Sequence, residues 1–157
     1  MVGMGYDLHR LEIGKKLVLG GVRIECEYGT IAHSDGDVLI HSLVDAILGA
    51  AGLGDIGEHF PDTYPEYKDA DSSIFLEEAV RLLKKNNFNI VNIDVTILLE
   101  RPKLSQYKNL IRQNIARHCN ISIERINIKA KTGERIGIIG NKEAVAAMCI
   151  CEIQHDS

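Results

Sequence analysis

Apolar positions along the chain switch between two periods, and the switches divide it into elements. Residues 14–25, GKKLVLGGVRIE, read as one strand interrupted at Gly20-Gly21 or two short strands joined there. From Asp35 or Gly36 onward, VLIHSLVDAILGAAG repeats at helical spacing, with Ser34 as the predicted N-cap, Asp37 at the capping-box position and Gly52 as the stop. Residues 69–87, DADSSIFLEEAVRLLKKNN, give the clearest amphipathic helix, with Glu77-Glu78 ahead of Lys84-Lys85 as the helix dipole prefers. NIVNIDVTILLE is β-branched and long enough for a central strand, after which Ser105 opens a third helix, SQYKNLIRQNIARHC. INIKAKT and AVAAMCICEIQ are the last strands, joined by the loop GERIGIIGNKE. Helices and strands interleave until that loop-linked pair, which predicts an α+β fold: a mixed sheet with helices on one face.

Neither a repeat nor a linker interrupts the pattern, and 157 residues suit a single domain over 1–157. With 45% hydrophobic and 25% charged residues, the chain can bury a core and is not a disordered sequence. Its net charge of −4 comes without any basic block, so a nucleic-acid partner is not expected, whereas a small anion held by a metal and backbone amides remains open. The apolar runs are too short for a membrane span, and the opening MVGMGYDLHR lacks a targeting pattern, which predicts a cytoplasmic protein. Cys26, Cys119, Cys149 and Cys151 form no C-x-x-C pair, and the last two share a face of an apolar strand, as buried reduced thiols do.

Five segments carry candidate chemistry. Asp7 and His9, two apart at the end of the opening strand, project on one face and can converge on a metal, although a surface carboxylate beside a solvated imidazole fits the same spacing. On the next helix, Asp37, His41 and Asp45 recur every four residues. A solvated stripe would contain Lys, Glu or Gln; short acids flanking a histidine suit a metal ligand whose tautomer a carboxylate one turn away can fix. Residues 54–65, GDIGEHFPDTYP, form a polar loop whose glycines allow close approach to a ligand. Residues 100–106, ERPKLSQ, turn a strand into a helix N-terminus, either as a plain proline turn or as a reader of a polar ligand. In AKTGERIGIIGN, residues 130–141, Thr132 offers a hydroxyl, Gly133 a turn and Glu134 a hard oxygen for Mg²⁺ or Mn²⁺.

Taken together, AHSDGDVLIHSLVDAILGAAGLGDIG, FPDT, DVTI and the PK turn, in this order over essentially the whole chain, resemble the 2-C-methyl-D-erythritol 2,4-cyclodiphosphate synthase family. The resemblance implies a ferredoxin-like fold, a homotrimer with sites between neighbouring subunits, and a metal-dependent phosphorus-oxygen lyase reaction of isoprenoid biosynthesis by the non-mevalonate route. In that reaction the 2-phosphate of 4-diphosphocytidyl-2-C-methyl-D-erythritol 2-phosphate attacks the β-phosphorus, CMP leaves and a cyclic diphosphate forms. Two anions must meet, so metals that neutralise and align them address the main barrier.

By position, the resemblance makes Asp7, His9 and His41 the Zn²⁺ ligands, with substrate phosphate as the fourth. Glu134 becomes the contact to a second metal, Mg²⁺ or Mn²⁺, on the diphosphate. His33 and Thr132 take the catalytic positions, and Ser34 meets substrate. Asp55, Ile56 and Gly57, then Phe60, Pro61, Asp62, Thr63 and Tyr64, would hold the methylerythritol phosphate. Leu99, Glu100, Arg101, Pro102, Lys103, Leu104 and Ser105, with Lys131, would form the pocket for cytidine phosphate. Gly133, Ile138 and Asn141 complete the implied substrate contacts. Two positions depart from the family pattern. Position 133 is Gly where relatives carry a second Thr, and Asn141 replaces a frequent Arg near a trimer-axis cavity proposed to take isoprenoid diphosphates, so anion binding there should be weaker. A zinc phosphohydrolase and a non-catalytic metabolite sensor are the rival readings.

Overall fold

The computed structural model describes residues 1–156. Its elements run β1 (Val2–Ile13), β2 (Leu17–Leu19), β3 (Val22–Ile24), β4 (Tyr28–Thr30), α1 (Val38–Ala50), α2 (Ile56–His59), α3 (Ser73–Lys85), β5 (Phe88–Leu98), α4 (Lys108–Cys119), β6 (Ile126–Lys131), α5 (Gly137–Gly140) and β7 (Ala144–His155). A five-stranded sheet has the order β4-β1-β7-β5-β6, and β2 pairs with β3 in a separate ribbon across Gly20-Gly21. The expected α+β architecture is present, but the strand order is not that of a ferredoxin-like fold. Among the long strands the chain runs β-α-β-α-β-β, not β-α-β-β-α-β. The physical reason lies in α4, which carries the chain back to the start of the sheet so that β6 pairs parallel to β5. β7 then returns antiparallel between β1 and β5, and it, not β5, occupies the centre.

Local chemistry moves three other boundaries. The N-cap of α1 is Asp37, whose carboxylate accepts from the Ile40 amide, and not Ser34. The turn after Ser105 delays α4 until Lys108, and residues 137–140 inside the last connection form the single turn α5. Strand β1 continues to Ile13, so Asp7 and His9 lie in mid-strand.

α1 is apolar on almost every side because the sheet, α3 and the β2–β3 ribbon all cover it. Leu39, Ile40, Leu43, Ile47 and Leu48 are fully buried, each contributing roughly 1.5–3 kcal/mol by leaving water. α3 buries Phe75, Leu76, Ala79, Val80 and Leu83 on one side only.

How closely α1 approaches β1 is set by two glycines. A Cβ on Gly3 would lie 2.1 Å from the Ala46 carbonyl oxygen, and one on Gly5 would lie 1.8 Å from that of Ser42. Two strand residues advance ~6.7 Å and four helix residues ~6 Å, so the strand and the helix stay in step. Continuing the series brings Asp7 level with the first turns of α1, where His41 sits. On the other face of the sheet, Val2, Met4, Tyr6 and Leu8 of β1 and Met148 and Ile150 of β7 are exposed. Among the described residues no helix is long and apolar enough to cross a membrane.

Candidate metal centre

Strand β1 and helix α1 bring Asp7, His9 and His41 together. Asp7 Oδ2 lies 3.3 Å from His9 Nε2 and 3.1 Å from His41 Nδ1. The two imidazole nitrogens are 3.4 Å apart. Ligands about 2.05 Å from a tetrahedral zinc stand ~3.3 Å from one another, so the triangle has the dimensions such an ion needs. A carboxylate and two imidazoles are also a suitable donor set for zinc. The electrostatics agree. Burial holds the His9 imidazole below its ordinary value, against the pull of Asp7. Burial pushes His41 down as well, but the hydrogen bond and charge of Asp7 outweigh it and leave His41 raised.

Carboxylates at 37 and 45 do not orient His41, contrary to the reading of the stripe. Asp37 is fully buried and accepts from the amides of Gly20 (2.9 Å), Gly21 (2.7 Å) and Ile40 (3.0 Å). Burial still pushes its carboxyl up to about 6. Asp45 accepts from the Ile56 amide at 2.7 Å and so anchors α2. The partner of His41 Nε2 is instead Ser72 Oγ at 2.8 Å, with Ser34 Oγ at 3.2 Å. Ser72 in turn donates to Asp35. Neither Asp35 nor Ser72 stood out in the sequence. They are 37 residues apart and belong to no shared periodicity.

The three candidate ligands open into a cavity of about 520 Å³, also lined by His33, Ser34, Ile56, Gly57, Phe60, Pro61 and Asp62 among the expected residues. Asp45 of the helix stripe joins them, Ala32, Tyr67 and Phe75 do so unannounced, and Phe60 and Phe75 pack with ring centroids 4.7 Å apart to form an apolar wall. Asp55, Thr63 and Tyr64 do not line this cavity. Asp55 caps α2 through the Glu58 amide, and Tyr64 presents its carbonyl to His33 Nε2 at 3.4 Å.

A second cavity, about 190 Å³, gathers Leu99, Glu100, Pro102, Lys103, Leu104, Ser105, Lys131 and Thr132. Lys108 and Ala130 line it too, and Lys108 adds a third cation at the start of α4. Parallel pairing of Leu98 with Lys131 brings the two segments side by side. The Glu100 carboxylate then clamps them, accepting from Gly133 N (2.8 Å) and Arg135 N (3.2 Å). Within the clamped turn Glu134 and Arg135 both have positive φ, and Thr132 Oγ1 bonds the Glu134 carboxylate at 3.2 Å. Arg101 faces a neighbouring depression and not this cavity, while its carbonyl accepts from Tyr28. Glu134, Ile138 and Asn141 stand exposed on the following turn.

The two cavities share no lining residue. Register explains the gap: Asp7, Ala147, Ile97 and Ala130 form one row across four strands. Three strand spacings place β6 ~14 Å from the metal ligands. The thiols take no part; Cys119, Cys149 and Cys151 are buried and unpaired, and burial pushes Cys149 up to about 12.

Comparison with known proteins bears on this arrangement. The YgbB family model matches residues 1–154. A 2-C-methyl-D-erythritol 2,4-cyclodiphosphate synthase of Clostridium perfringens is 51% identical over 150 residues, covering 96% of each chain. Among solved structures, the bifunctional IspDF of Campylobacter jejuni superposes with a TM-score of 0.94 at 44% identity, over 98% of this chain and 42% of that longer one. The IspF of Plasmodium falciparum in complex with CDP gives a TM-score of 0.88 at 38% identity, over 99% of this chain and 96% of that one. With a family model spanning nearly all of its length and a fold shared with both structures, this chain belongs to the YgbB family, alongside relatives named 2-C-methyl-D-erythritol 2,4-cyclodiphosphate synthase.

Proposed function

We propose that this protein is a 2-C-methyl-D-erythritol 2,4-cyclodiphosphate synthase of the non-mevalonate route. It cyclises 4-diphosphocytidyl-2-C-methyl-D-erythritol 2-phosphate and releases CMP. The observation that carries this reading, beside family membership, is the zinc-sized Asp7–His9–His41 triangle at the mouth of a cavity with a polar rim and an apolar wall. Zinc held there by Asp7, His9 and His41 would supply a Lewis acid to a phosphate oxygen. The protein's own residues do the remaining work. His33 and Ser34 lie beside the ligands to meet the phosphates, and Ile56, Gly57 and the Phe60–Asp62 turn enclose the methylerythritol part. The 190 Å³ cavity, with Lys103, Lys108 and Lys131 on its rim, suits a cytidine phosphate. A CDP complex of a relative supports that assignment. Thr132 and Glu134 follow directly on β6 and would bring a hydroxyl and a hard oxygen for Mg²⁺ or Mn²⁺ to the diphosphate.

Because the two cavities lie three strands apart, one substrate meets both only across a boundary between chains. A homotrimer packed through the exposed apolar face of β1 and β7 supplies that boundary and covers Met4, which is otherwise 68% exposed. The test is to incubate the protein with zinc, Mg²⁺ and the diphosphocytidyl substrate. CMP and cyclic diphosphate in equal amounts are expected. Inorganic phosphate would indicate a hydrolase, and binding without turnover a sensor; either result overturns the proposal.

A further inference from the structure

The nitrogen of His41 that points away from the triangle is held by a hydroxyl whose own proton is committed to a carboxylate 37 residues away in sequence. Asp35 is fixed at the start of the loop before α1: one carboxylate oxygen accepts from Ser72 N at 2.8 Å, and the other from Asp37 N at 3.1 Å. That second oxygen also takes the hydroxyl proton of Ser72. Ser72 is fully buried, and its only proton points at Asp35. Its oxygen therefore has lone pairs alone to offer His41 Nε2, 2.8 Å away. A nitrogen facing a lone pair must carry hydrogen. With Nε2 held by that hydrogen bond, Nδ1 points to the corner of the triangle, 3.1 Å from Asp7 Oδ2 and 3.4 Å from His9 Nε2, where a cation would replace the hydrogen that Nδ1 shares with Asp7.

We infer that Asp35 and Ser72 are positioning residues that hold the His41 ring by its Nε2–H through a carboxylate–hydroxyl–imidazole relay and thereby tune its affinity for the metal. The inference deepens the zinc-dependent reading and rests on it. Ser34 Oγ, 3.2 Å from the same nitrogen, can accept in place of Ser72 but has no carboxylate behind it.

The test measures zinc affinity by competition with a chromophoric chelator, with unfolding midpoints confirming that each variant folds. Ser72→Ala should weaken zinc about 10-fold because Ser34 partly substitutes, Ser72→Thr should stay within about 3-fold, and Asp35→Ala should lose about 100-fold. In Asp35→Ala the Ser72 hydroxyl is free to donate to Nε2 and favour the ring form without hydrogen there. Removing the hydroxyl as well should restore part of the affinity, a reversal of sign that simple structural damage does not produce. In metal-free protein carrying ¹⁵N-histidine, His41 Nε2 should carry a hydrogen in the wild type and lose it in Asp35→Ala, whatever the state of Nδ1 beside Asp7. An unchanged Nε2, or a double variant weaker than Asp35→Ala, overturns the relay. If Asp35→Ala does not fold, equal zinc affinity in Ser72→Ala and wild type overturns it instead. Wild-type protein that binds no zinc would refute the metal reading alone, since the hydrogen on Nε2 is still measured without metal.

Discussion

Around Asp7, His9 and His41, three separate segments lock one another: the loop from Ser34 to Asp37, helix α1 and the first residue before α3. Around the second cavity the side chains come from two adjacent segments, the rim is exposed, and one carboxylate, Glu100, holds the 133–135 turn. The contrast is between a region whose ligand geometry exists before anything binds and one whose shape depends on a single clamp. Preorganisation matters most where a metal must be held to a few tenths of an ångström. It matters less at an exposed rim of flexible lysines, which can adjust to an anionic ligand.

That contrast can be broken, starting with the largest expected effect. Asp7→Ala or His9→Ala should abolish zinc binding and lower turnover by about 10³-fold or more, with the fold retained, because Lewis-acid stabilisation of several kcal/mol is lost. Metal analysis beside a steady-state assay checks this, and full activity in a zinc-free variant would end the metal assignment. Next, Gly5→Val forces a side chain onto the Ser42 carbonyl. Lifting α1 should cost about 2–3 kcal/mol in denaturant unfolding and lower zinc content, although no ligand has changed. By contrast, Glu100→Gln loosens only the second region. Losing one charge-assisted hydrogen bond, worth about 1.5 kcal/mol, should raise KM about 10-fold while zinc content stays at the wild-type level. A fall in zinc would show that the two regions are not independent.

The last prediction concerns pH and touches neither cavity. Asp37 has its proton affinity raised from an ordinary 3.8 to about 6 by burial, so the folded chain holds that proton more tightly than the unfolded one. The Asp37 contribution to stability should therefore decline as pH rises from 3.8 to about 6, at no more than about 1.4 kcal/mol per pH unit, and level off above. Asp37→Asn should remove this contribution, so the difference between wild type and variant should carry the slope, whatever the change in absolute stability. Chemical unfolding at a series of pH values reads it directly.

The sequence spelled out what local periodicity can carry. Strand and helix periods located α1, α3 and β5, and the spacing of Asp7 and His9 put both on one strand face. Pattern alone says which face of a strand is buried but not which strand lies beside it, which is why β7 in the centre of the sheet and the parallel β5–β6 pair were not foreseen. The stripe Asp37–His41–Asp45 was visible, yet its carboxylates serve backbone amides at Gly20, Gly21 and Ile56, donors that only the folded chain delivers. Ser72 looked like one more polar residue opening a helix.

The close seating of α1 on β1 has a consequence for how such a chain can change over generations. Where Gly3 and Gly5 meet the carbonyls of Ala46 and Ser42, main chain faces main chain with no side chain between. The separation of the two elements is thus independent of which apolar residues fill the rest of α1. Leu39, Leu43 or Ile47 can drift to other bulky residues and shift the core by a few tenths of an ångström without moving the ligand atoms apart. The two glycines have no such latitude. Lineages descended from one ancestor could diverge widely in their interiors and still present a cation with the same three atoms at the same spacing.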